Sequence, residues 1–239
     1  MKPAANASVP PNAYSLSVVS DVAIYRQQAQ INPESRLVDL ADSIPDIKLD
    51  IRYATASNVL SEPLYTMAAA FLREPAATAL RQVQAALAAQ GAGLLVFDAY
   101  RPYSVSVRFW DQIQDETYAA PPWRGSRHNR GCSVDVALVD ARGQPLLMPT
   151  AFDDLTPAAH AAYEPVTVEA RRNRALLLET MAAFSFVNYP AEWWHFDFAR
   201  WAEFELLDIP FTALTHGLNT AESGSSESEN SSAYRYFPK

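Results

Sequence analysis

The chain has 239 residues, 49% of them hydrophobic and 19% charged, which is enough apolar mass for one sizeable core in one ordinary domain with decorated ends. A formal charge of −8, with no polybasic arm and no basic-aromatic stripe, speaks against nucleic-acid binding through a broad basic face. Cys132 is the only cysteine, so there is no disulfide framework, and no run approaches the ~18 consecutive apolar residues of a membrane span.

The start of the chain, Met1 to Asn6, lacks the apolar centre of a signal peptide. The expected compartment is the cytoplasm, with the periplasm open if a leader has been removed. Residues 1–34 read as a peripheral, partly irregular arm, free or docked on the body, rich in Ala, Asn, Pro and Ser, with apolar residues from Leu16 to Tyr25. The body is expected over 35–210. It opens with Ile47 to Tyr53, whose apolar-polar alternation predicts a half-buried strand. A turn-rich loop follows over Ala54 to Pro63.

Glu74 to Gln90 predicts a helix, with Pro75 in the first turn and Leu80, Val83 and Leu87 on one face. Gly91 and Gly93 end it, and Leu94 to Phe97 reads as a buried strand. Ser104 to Gln114 predicts a second helix, Cys132 to Val139 a strand, and Asp140 to Gly143 a hairpin tip. Val168 to Phe184 predicts the longest late helix, and Trp193 to Phe198 an aromatic strand. Residues 211–239 read as an extension, disordered over the low-complexity stretch Ser223 to Ser232. Helices and strands alternate without a repeated βαβ rhythm. The predicted fold is therefore α+β, a single domain with a central, mostly antiparallel sheet flanked by helices.

Three segments carry candidate chemistry. In Ser126 to Asp135, His128 and Asp135 lie seven residues apart around Gly131, whose turn can bring them together. Neutral imidazole and carboxylate both ligate zinc, with bonds of ~2.0–2.2 Å. In Glu192-Trp193-Trp194-His195, an extended chain would send Glu192 and His195 to opposite faces, whereas a turn at Glu192 would let both face one pocket. A carboxylate beside a metal can take a proton from water and deliver it to a leaving amine. In Asp98 to Pro102, Arg101 follows an apolar strand, where a fixed cation can stabilise an oxyanion.

Alone, each segment has a plainer reading: an isolated His and Asp, an aromatic core strand, an ion pair between Arg101 and Asp98. Together, His128, Asp135 and His195 supply the three protein ligands of a catalytic zinc site with an open fourth position. His160, in a polar loop, and His216, beside the tail, read as bystanders, and Cys132 as a small buried residue.

The motifs DAYRP, S-x-H-x-x-G-x-x-x-D and EWWHF, in this order, resemble those of the VanX-type D-Ala-D-Ala dipeptidases, within the zinc D,D-peptidase group of hedgehog-like fold. The resemblance runs from Leu37 to Phe198 and includes the LVDL and IRYAT segments and the N-R-x-L-L-L stretch at Asn173 to Leu178. It implies one zinc ion per chain on His128, Asp135 and His195, Glu192 as general base, and Arg101 stabilising the tetrahedral intermediate. It also implies Ser126 near the substrate carboxylate and Asp153 on the substrate ammonium. The implied partner is a small D,D-dipeptide, and the stereochemistry comes wholly from the resemblance. Two alternatives stand beside this reading. One is a zinc D,D-carboxypeptidase acting on peptidoglycan precursors, and the other a non-catalytic zinc-binding module. The oligomeric state is left open.

Overall fold

The computed structural model describes residues 11–215. In chain order its regular elements begin with β1 (Val18–Val19), α1 (Val22–Ile31), β2 (Leu37–Asp39), α2 (Leu40–Ser43), β3 (Lys48–Leu49), β4 (Phe71–Arg73) and α3 (Glu74–Ala88). They continue with β5 (Ala92–Asp98), α4 (Tyr103–Ile113), β6 (Ser133–Asp140), α5 (Val168–Ala183), β7 (Phe186–Asn188), β8 (His195–Phe198), β9 (Leu206–Leu207) and α6 (Phe211–Thr215).

The main sheet has five strands in the order β3-β5-β6-β8-β7. Only the β3–β5 pair is parallel, so the α+β, mostly antiparallel expectation holds. Two two-stranded sheets accompany it, β1 with β9 and β2 with β4. Leu94, Val96, Val134, Val136 and Leu138 on the central strands are wholly buried, and Leu80, Val83, Leu87, Leu177 and Met181 bring the helices onto the same core.

The helices follow their local signals. Pro75 sits in the first turn of α3, where no N–H is needed. Thr167 caps α5, its hydroxyl accepting from the Ala170 N–H at 3.1 Å, a contact worth about 1 kcal/mol. At the other end of α4, Gln114 takes a left-handed conformation that stops the helix. Past β6 the chain reverses at Asp140, and Leu146 N–H returns to Leu138 O at 2.9 Å, which is the predicted hairpin tip.

Three expectations change. The strand read over Ile47 to Tyr53 shrinks to Lys48–Leu49, and its pairing ends where the Asp50 N–H reaches Val96 O. The chain then coils through a short 3-10 turn, Arg52–Ala54. There Arg52 binds back to Asp50 while Ile51 and Tyr53 keep their buried faces. The aromatic strand starts only at His195, because Glu192 to Trp194 lie on a turn.

Of the arm read over 1–34, the described residues 11–34 dock on the body, and Val22–Ile31 is a regular helix. The β1 strand pairs with β9, Val19 is buried, and the Tyr25 hydroxyl of α1 accepts from the Leu37 N–H at 2.8 Å. Phe211, at the start of the supposed extension, is buried against Tyr65, Phe71 and Tyr100. Packing thus extends beyond the body read over 35–210 at both ends. The low-complexity stretch and His216 lie outside the described residues.

Candidate active site

Sheet register assembles the centre. Strands β6 and β8 run antiparallel with Asp135 opposite His195 and Ser133 opposite Asp197. Alternation puts residues two apart on one face, so both pairs point the same way. The loop before β6 delivers His128 through a short 3-10 turn, His128–Arg130, closed by Gly131. Gly131 has φ +67°, and a Cβ there would sit 2.6 Å from Leu37 Cδ2, so glycine is required on two counts.

His128 Nδ1 lies 2.6 Å from the carbonyl oxygen of Ala99. A carbonyl only accepts, so Nδ1 carries the proton and Nε2 presents a lone pair. His195 Nε2 lies 3.0 Å from Asp197 Oδ1, and with the ring proton on that nitrogen Nδ1 presents its lone pair to the site. The two free nitrogens are 3.2 Å apart, and Asp135 Oδ1 lies 3.0 Å from His195 Nδ1 and 3.5 Å from His128 Nε2. Three acceptor atoms aimed at one point repel one another unless a cation lies among them. This donor set of two imidazoles and one carboxylate therefore fits a divalent metal, and among the described residues no other group of three does.

Glu192 comes in from the turn, where the His195 N–H folds back toward the Glu192 carbonyl at 3.4 Å. Its Oε2 lies 3.7 Å from His195 Nδ1, on the metal side of the ring. Of the two geometries open in the sequence, the turn is the one present. Burial pushes the Glu192 carboxyl up to about 8, against the opposing pull of His195.

Arg101 is buried and does make the ion pair that its local sequence suggested. Its Nε and Nη2 donate to Asp98 Oδ2 at 2.9 and 2.7 Å, while Tyr65 donates to Asp98 Oδ1 at 2.6 Å. The guanidinium lies 4.8 Å from the centroid of the Tyr53 ring and 5.2 Å from that of Phe109, with Nη2 3.9 Å from Asp135 Oδ2. The ion pair and the position beside the metal donors are thus compatible. Asp98 fixes the cation that faces the site.

All seven residues singled out from the sequence, Arg101, Ser126, His128, Asp135, Asp153, Glu192 and His195, line one cavity of about 510 Å³. Ser126 Oγ accepts from the His128 N–H at 3.2 Å. Asp153, in a left-handed conformation at φ +61°, accepts from the Tyr53 hydroxyl at 2.9 Å. Burial pushes its carboxyl up to about 7. His160 closes a separate turn and does not line the cavity.

Sequence reasoning missed Tyr53, Ser133 and Asp197. Asp197 had a signal, since it lies two residues from His195 on a strand. Tyr53 had none, because its reach to Asp153 depends on the turn that replaced the predicted strand.

A family model described as Peptidase_M15, D-ala-D-ala dipeptidase, matches residues 33–211. This chain belongs to that D-ala-D-ala dipeptidase family. The D-alanyl-D-alanine dipeptidase of Escherichia coli (strain K12) is 35% identical over 180 residues, covering 75% of this chain and 93% of the relative. That of Enterococcus faecalis (strain ATCC 700802 / V583) is 28% identical over 199 residues, covering 74% and 95%. Among solved structures, the LdcB LD-carboxypeptidase aligns with a TM-score of 0.42 at 18% identity, over 71% of each chain. Members of this dipeptidase family are peptidases, and the chain is accordingly an enzyme. Among its described residues no helix is long and apolar enough to cross a membrane.

Proposed function

We propose that this dipeptidase-family enzyme hydrolyses free D-Ala-D-Ala to two D-alanines at a single zinc centre held by His128, Asp135 and His195. The observation that carries the reading is the convergence of His128 Nε2, His195 Nδ1 and Asp135 Oδ1, with Glu192 beside them in the same cavity. When bound, zinc supplies Lewis acidity that polarises a carbonyl and lowers the pKa of water.

The chain's own residues do the rest. Glu192 takes a proton from the attacking water and passes it to the leaving amine. Its burial keeps the carboxylate weakly solvated and basic, and a cation next to it favours the ionised form that a base needs. Arg101, locked by Asp98, faces the carbonyl oxygen as negative charge develops there and needs no reorganisation to do so. Asp153, steadied by Tyr53, pairs with the substrate ammonium, and Ser126 contributes to holding the carboxylate. Recognition at both ends favours a free dipeptide over a longer chain.

The test compares zinc-loaded protein on free and N-blocked D-Ala-D-Ala, with a chelator control. Hydrolysis of the free dipeptide alone, abolished by chelation, is expected. Equal hydrolysis of both would indicate a D,D-carboxypeptidase instead. Bound zinc with no turnover of any D,D-peptide would indicate a binding module.

A further inference from the structure

Asp197 lies beside the donor triad without belonging to it. The residue is buried, with only 3% of its surface exposed, and its carboxylate is fully engaged. Oδ1 accepts from His195 Nε2 at 3.0 Å and from Ser133 Oγ at 2.6 Å, while Oδ2 is held by Arg127. Arg127 precedes His128, and its guanidinium stacks on the Trp201 ring, 4.6 Å from the centroid. One carboxylate therefore ties together β6, β8 and the loop that carries the other histidine.

We propose that Asp197 is the positioning residue for His195, dictating which ring nitrogen faces the metal, with Ser133 and Arg127 holding Asp197 in place. The inference rests on the zinc reading above. A neutral imidazole has one N–H, and only when that proton is on Nε2 is Nδ1 free to ligate. Among the described residues Asp197 is the acceptor at Nε2. The same carboxylate orients the ring plane, since Ser133 and Arg127 leave it no freedom to turn. His128 is served by a carbonyl at Nδ1 and ligates through Nε2, so the two rings need opposite tautomers. Two separate acceptors are the simplest way to specify that. Arg127 also neutralises Asp197, so the second carboxylate adds little net negative charge beside Asp135.

The variant of choice is Asp197→Asn, which keeps the shape. The Asn amide can turn its NH₂ toward His195 Nε2 and favour the wrong tautomer. The full-length protein is stripped of metal and its zinc affinity measured by competition with a chromophoric chelator. The cobalt(II) form is then examined by visible absorption. Relative to wild type, Asp197→Asn is expected to bind zinc roughly ten- to a hundred-fold more weakly, with a shifted cobalt spectrum. Arg127→Met and Ser133→Ala should each weaken zinc binding by a smaller factor. They carry the test if the Asn variant does not fold, since the Arg127 side chain is 45% exposed. Glu62→Gln, a surface charge loss, should leave both readouts unchanged. Wild-type affinity and spectrum in Asp197→Asn, or in both Arg127→Met and Ser133→Ala, would overturn the proposal. If wild type itself fails to bind one equivalent of zinc, the zinc reading falls, which is a different result.

Discussion

Single side chains divide the work at the centre, and each division predicts a different failure. Glu192→Ala should retain zinc by elemental analysis and lose kcat by a factor on the order of 10²–10⁴, because it removes a proton carrier and no ligand. Wild-type kcat in that variant would refute the base. His195→Ala should lose the metal itself, and full zinc occupancy would refute the ligand set. Asp153 sets a pH signature. Its carboxyl, pushed up to about 7 by burial, must be ionised to meet an ammonium. The amine of a dipeptide keeps its proton below about 8. KM should therefore be lowest between these values and rise as pH falls through about 7. Asp153→Asn should raise KM roughly ten- to a hundred-fold and flatten that acidic limb, as steady-state kinetics across pH would reveal. An unchanged KM would remove Asp153 from the substrate site.

At the level of elements, the helices α3, α4 and α5 and the central strands were legible because their patterns are local, whereas α1, inside a segment judged by its composition, was not. Pro75 and the apolar face of Leu80, Val83 and Leu87 mark α3 without tertiary information. The short strands were not legible. Val18–Val19 and Leu37–Asp39 exist because distant partners, Leu206–Leu207 and Phe71–Arg73, complete them. The Glu192 turn was legible only as one of two options, since the spacing to His195 suits a strand or a bend. The loop from Ser126 to Gly131 shows what sequence does carry, since a glycine between His128 and Asp135 marks the turn that joins them. Gly131→Ala would force an L side chain to φ +67° with its Cβ against Leu37. The expected cost is about 1–3 kcal/mol, measurable as a lowered unfolding midpoint, with reduced zinc affinity as His128 shifts. An unchanged midpoint would show that the loop relaxes freely.

Across the whole molecule, residues 33–211 match the family, yet the packed unit begins before them with β1 and α1. An arm judged by composition looked peripheral because its burial depends on a strand nearly two hundred residues away, which no local pattern reports. The interior is also a chemical shield. Burial pushes the Cys132 thiol up to about 12, although Arg73 and Arg130 pull the other way. Thiol reagents at pH 8 should leave the native enzyme unmodified and label it only when denaturant unfolds it, and fast labelling of the native protein would contradict this burial. The sign of the linked effect follows. The unfolded thiol ionises near its ordinary value while the folded one does not, so this contribution to stability is intact below about 8.5 and fades at higher pH.

The paired register of β6 and β8 has a consequence for how this enzyme can change. Substitutions along these strands leave neighbours where they were, so drift can proceed position by position. A one-residue deletion or insertion within β6 or β8 inverts every later side chain of that strand. At Val134 it would swing Asp135 to the opposite surface and put valine in its place, and at Phe196 it would do the same to Asp197, with phenylalanine taking its position. Length, more than composition, is what selection must guard here, and a library of single-codon indels should be tolerated at the hairpin tip, Ala141 to Gly143, which carries no site residue, and lethal to hydrolysis within these two strands.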